Sequence, residues 1–105
     1  MLPKPPLTDL NITLQDGFQG EQVIIHIGDQ QVYAQPDVHT KLLLGYADFI
    51  KVSVQRGQIV VGVDLPTRDL SERIDLEIHD PLFLFISLVS SKIHYFVQNE
   101  PLGFM

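Results

Sequence analysis

Alternation of apolar and polar residues at every second position runs down almost the whole chain, and it constrains the fold more than any other feature. Side chains on an extended strand point to opposite faces in turn, so this period marks strands with one buried face. Leu10, Ile12 and Leu14 alternate with Asn11, Thr13 and Gln15. After Asp16-Gly17 and Gly20, the residues Val23, Ile25 and Ile27 alternate with Gln22, Ile24 and His26. Gly28-Asp29 breaks the run, a shorter strand from Gln31 to Ala34 follows, and Gln35-Pro36-Asp37 predicts a turn. A fourth strand is expected from Thr40 to Leu44, ended by Gly45.

The second half alternates more regularly. Ile50, Val52 and Val54 face Ile59, Val61 and Val63 across Arg56-Gly57, which predicts a tight hairpin with glycine supplying positive φ. Residues 64–73 predict a loop crossing between sheets, with one short helical turn from Asp69 to Glu72. Ile74, Leu76 and Ile78 form a half-exposed strand, Asp80-Pro81 turns it, and Leu82 to Val89 follows. Ser90-Ser91 then turns into Lys92 to Gln98. No long segment has helical spacing. Short strands with turn signals every eight to twelve residues predict an all-β protein, an antiparallel Greek-key β-sandwich of about seven to eight strands. Residues 1–105 are read as one domain, with residues 1–9 an extended N-terminal segment and 99–105 a C-terminal tail.

Composition narrows the functional classes. The chain has no cysteine, which excludes disulfides and thiolate metal sites. Net charge is −6 with only seven scattered basic residues, so neither nucleic acid nor an anionic membrane is an expected partner. The opening MLPKPPLTDL lacks the apolar run of a signal peptide, and a cytoplasmic location is expected. There is no phosphate-cradling glycine loop, no G-x-S-x-G elbow and no H-E-x-x-H pair, so no cofactor or catalytic motif is written in the chain.

One strand breaks the alternation. In Leu82–Val89, Leu82, Leu84, Ile86 and Leu88 point one way while Phe83, Phe85 and Val89 point the other. A two-layer sandwich leaves that second face to water, so something is expected to cover it. Either the terminal segments do so, or a second copy or a partner protein does. Phe96 lies off the core face of the next strand, and Phe83, Phe85, Val89, Phe96 and Phe104 form the expected interface set. Strand counting places Asp29, Asp48, Asp64 and Asp69 at one end of the sandwich, a weak calcium alternative, with Asp16, Asp37 and Asp80 at the other. His26, His79 and His94 occupy polar strand positions, whereas Asp37-x-His39 lies in a loop. Tyr33 and Tyr46 stand near turns, where an exposed ring could serve as a sugar platform, although packing is the ordinary fate of such rings.

The segments Val32-Tyr33-Ala34, residues 37–42 and Leu44-Gly45-Tyr46-Ala47, with the ending Asn99-Glu100-Pro101-Leu102-Gly103-Phe104-Met105, resemble small uncharacterised bacterial β-sandwich proteins with a Pro-x-Gly-aromatic close. That resemblance implies a fold and no activity. In size and strand count the chain is also similar to the transthyretin and 5-hydroxyisourate hydrolase group. Those enzymes close on Tyr-Arg-Gly-Ser and use an N-terminal histidine, whereas this chain closes on Leu102-Gly103-Phe104-Met105 and has its first histidine at His26. The expected function is a non-catalytic binding or interaction module that self-associates. The alternatives are a small hydrolase using His39 with nearby acids, and a calcium-dependent ligand-binding domain.

Overall fold

A computed structural model describes residues 7–99 of the chain. Eight strands follow one another: β1 (Leu7–Leu14), β2 (Gln19–Ile27), β3 (Gln30–His39), β4 (Asp48–Gln55), β5 (Gly57–Leu65), β6 (Leu70–Ile78), β7 (Leu82–Val89) and β8 (Lys92–Gln98). They form two four-stranded sheets, sheet A in the order β4-β1-β7-β8 and sheet B in the order β3-β2-β5-β6. The all-β sandwich expected from the alternation is therefore the fold. No helix among the described residues is long and apolar enough to cross a membrane.

The core lies between the sheets and takes the alternating residues in turn. Sheet A contributes Leu10, Ile12 and Leu14 with Leu82, Leu84, Ile86 and Leu88; sheet B contributes Val23, Ile25, Val61, Val63, Ile74 and Ile78. Each such side chain, removed from water, contributes about 1.5–3 kcal/mol. Tyr33 joins this core rather than standing exposed. Its hydroxyl donates to Asp48 Oδ2 at 2.8 Å, linking edge strand β3 of sheet B to edge strand β4 of sheet A. Burial, and then the adjacent carboxylate, push the phenol well above its ordinary value.

Five of the six strand pairings are antiparallel, but β1 and β7 run parallel, with Leu10 beside Leu82, Ile12 beside Leu84 and Leu14 beside Ile86. The ladder continues past β1, where Gln15 donates to Ile86 and Leu88 donates to Asp16, each at 2.8 Å. Gly17 follows with φ +87°, and a Cβ there would sit 1.8 Å from the Leu88 carbonyl oxygen. Only glycine lets the chain turn away from β7 at that point.

Several local expectations are corrected. Arg56-Gly57 is not a hairpin: β4 pairs with β1 while β5 pairs with β2 and β6, so the chain changes sheets at this corner. Residues 64–73 do not cross; they close the β5–β6 hairpin within sheet B through a 3-10 turn at Pro66–Arg68, placed before the expected Asp69–Glu72 turn. Proline at the start of the turn and Asp69 in the left-handed region at its end account for that position. Gln35-Pro36-Asp37 does not end its strand. β3 runs on to His39, absorbing Pro36 as an irregularity in register on a sheet edge, where a missing N–H costs no ladder bond. Residues 40–44 are not a strand. Thr40 instead clamps the β1–β2 connection, its Oγ1 donating to the Gln15 carbonyl at 2.7 Å and accepting the Phe18 N–H at 3.1 Å.

One buried charge pins the sandwich end. Glu21 is on the core side of β2 and only 4% exposed. It accepts the Gln19 N–H and two bonds from Arg68, Nε at 2.9 Å and Nη2 at 2.6 Å, which tie the β5–β6 turn to β2. Burial alone raises the Glu21 carboxyl, but the backbone N–H and the Arg68 guanidinium outweigh it and hold the group below its ordinary value of 4.5.

Two predictions follow from these contacts. Gly17→Ala adds steric overlap with Leu88 to a left-handed backbone and should cost about 3 kcal/mol or more, whereas Gly28→Ala, also at positive φ but in open space, should cost about 1 kcal/mol. Urea unfolding of the two variants measures the difference. Because the Glu21 pKa is depressed on folding, its contribution is present above the unfolded value near 4.5 and is lost as pH falls through the lower folded value. Glu21→Gln should flatten the stability–pH curve below 4.5, read by thermal melts across that range.

Candidate functional site

The two outer faces of the sandwich differ in chemistry. On sheet B most outward positions are polar, Arg73, Asp75 and Glu77 on β6 with Asp64 on β5 and His26 on β2, although Ile24 and Val60 share this face. An open hollow of about 480 Å³ lies on this face, lined by His26, Asp29, Asp64, Ser71, Glu72 and Arg73 among others. His26 Nδ1 is 3.7 Å from Asp64 Oδ2, so the only described ion pair in the hollow is a loose one.

Sheet A carries an apolar row instead. Thr13 on β1 is level with Phe49 on β4 and with Phe85 on β7, and Phe85 is level with Phe96 on β8. Residues level with one another share a face, so Phe49, Thr13, Phe85 and Phe96 cross all four strands on the outside. Phe85 and Phe96 stack, with centroids 4.8 Å apart and planes 16° from parallel. At the other end the Tyr46 ring meets Phe49 edge-on at 6.2 Å.

Of the expected interface residues, Phe85 is the one the structure withdraws. It faces outward as expected, yet is only 2% exposed, because Phe96 lies over it. Phe83 is half-buried between Asn11 and Gln98, and Val89 and Phe96 are exposed. Phe104 lies outside the described residues, as do residues 1–6 and 100–105 of the expected terminal segments, whereas residues 7–9 belong to β1 instead. On β8 the consecutive residues Tyr95, Phe96 and Val97 stay 45%, 42% and 37% exposed, while Phe49 at the opposite edge of the sheet is 60% exposed. Tyr95 and Val97 point toward the core side but lie at the rim, where sheet B covers them only in part.

The edges of the two sheets are guarded unequally. β3 carries Pro36 and shifts of register, β6 carries Arg73, Asp75 and Glu77, and β4 carries Lys51, which pairs with Asp9 at 3.5 Å. Charges, proline and bulges are the usual devices against strand addition. After Lys92, β8 has none of them: Ile93-His94-Tyr95-Phe96-Val97-Gln98 contains no proline, acid or further lysine.

A second apolar feature was not visible in the alternation. Lys41 and Tyr46 close a tight turn in which Lys41 donates to the Tyr46 carbonyl and Leu44 and Gly45 donate to that of Lys41. The turn drives Leu42 and Leu43 outward, 92% and 101% exposed. The leucine run is plain in the sequence, but its pattern also fits the expected strand.

The metal and catalytic alternatives gain little. No three of the described histidine, aspartate and glutamate side chains are grouped to hold a metal ion, so Asp29, Asp48, Asp64 and Asp69 do not converge. Asp48 instead accepts from Tyr33 and from the Phe49 N–H, and Asp69 ends the 3-10 turn. His39 Nε2 does meet Asp37 Oδ1 at 2.8 Å, beside Gly20. Both groups are more than half exposed, so the pair sits in water, where its coupling is weak. His79 similarly pairs with Glu77 on the surface. No family model, curated protein or solved structure matches this chain.

Proposed function

We propose that the protein is a non-catalytic interaction module that works in the cytoplasm as a homodimer, associating through the β8 side of sheet A. The observation carrying this reading is the run Tyr95-Phe96-Val97, three large apolar side chains exposed in sequence on an edge strand whose one charge, Lys92, stands at its start. Adjacent large apolar side chains left exposed on one strand mark a candidate interaction site. Its burial supplies a driving force that neither the polar face of sheet B nor the exposed Asp37–His39 pair can offer. Nucleic acid and lipid are not the partners this reading calls for, given the net charge of −6.

The leucine turn supports a second reading, in which Leu42 and Leu43 seat in a pocket of a different protein. The two are separated by sedimentation of single variants. Phe96→Asp should lower the mass to that of the monomer, with circular dichroism still showing a β fold, while Leu43→Ser should leave the dimer intact. Phe85→Asp is not an equivalent substitution: it buries a charge and should unfold the protein rather than dissociate it. A wild type that remains monomeric at several hundred micromolar defeats the self-association reading.

A further inference from the structure

We infer that two copies join edge to edge through antiparallel pairing of β8 with its counterpart, the two-fold axis passing at Tyr95; this rests on the self-association reading above and specifies its geometry.

The β7–β8 turn fixes which backbone groups are free. Ser90 and Ser91 have φ of 51° and 61°, the left-handed pair of a two-residue type I′ hairpin. In such a hairpin the flanking residues Val89 and Lys92 form a hydrogen-bonded pair, and pairs alternate along the ladder from there. Leu88–Ile93, Ile86–Tyr95 and Leu84–Val97 are then the non-hydrogen-bonded pairs. The N–H and C=O groups of Ile93, Tyr95 and Val97 therefore point away from β7, toward the open edge.

An axis at Tyr95 uses all of these groups. Tyr95 faces Tyr95 of the second copy, and Ile93 faces its Val97, so each outward N–H meets an outward C=O. Moving the axis to His94 sets Val97 against Ser91, and moving it to Phe96 sets Ile93 against Asn99, both outside the strand. The side chains suit the same register. Ile93 meets Val97 and the tyrosines meet each other on one face, while His94 meets Phe96 on the other. Lys92 meets Gln98, so no like charges are opposed. The half-exposed Tyr95, Phe96 and Val97 are covered in the same event.

Cysteine cross-linking tests the register directly, because the chain contains no cysteine of its own. Facing residues of a hydrogen-bonded antiparallel pair have Cα atoms about 5.5 Å apart, within the range a disulfide spans. Tyr95→Cys should oxidise to a covalent dimer that reductant reverses. Ile93→Cys, about 13 Å from its own copy at four residues' offset, should cross-link at least tenfold more slowly. Mixing Ile93→Cys with Val97→Cys should restore fast cross-linking between the two variants. If light scattering finds dimers but Tyr95→Cys links no faster than Ile93→Cys, and the mixture does not link either, this pairing is overturned and the association uses another surface. If the wild type is monomeric at several hundred micromolar, both the pairing and the self-association reading fall.

Discussion

Sheet A depends on the parallel ladder between β1 and β7. Its other joints are the pairing of β4 with β1 and the β7–β8 hairpin, so without this ladder the sheet would divide into two pairs of strands. The ladder joins residues more than seventy positions apart, and loop closure makes so distant a contact slow to form. What secures it is the row of aliphatic side chains on its inner face and the continuation through Gln15, Asp16 and Leu88. Gly17 shows how close the approach is, since the ladder's last carbonyl occupies the space any larger residue would need.

The elements were legible in the sequence because burial of one face imposes a period of two whatever the partner strand. The partners were not legible, for the same reason. Ile50 to Val63 alternates identically whether Arg56-Gly57 folds a hairpin or carries the chain to the opposite sheet, and the structure takes the second course. Pro36 misled because proline marks a turn in a central strand but is tolerated on an edge, and edge position follows from topology alone. The 64–73 segment folds locally because Arg68 reaches Glu21, a contact between residues 47 positions apart with no local sign.

The candidate surface was half legible. The excess of apolar residues in Leu82–Val89 lies partly on the outer face of sheet A, and the expected set holds both Phe85, which is buried, and Phe96, which is exposed. Phe85 belongs to a central strand and gains a stacked neighbour, whereas Phe96 belongs to the edge and has a neighbour on one side only. Exposure here follows from rank across the sheet, which no one-dimensional pattern records. The leucines at 42 and 43 were hidden by the same ambiguity, because a run of leucine fits a buried strand as well as a turn that turns it outward.

The guarded edges also govern how large any assembly can become. Proline and irregular register on β3, Lys51 in the middle of β4 and the charges of β6 guard those edges along their length, whereas the one charge of β8, Lys92, stands at its start. An isologous contact there consumes the same surface on both molecules and leaves no fresh template behind it. A chain with two open edges would template a fibre. Pairing through a single edge would stop at a dimer.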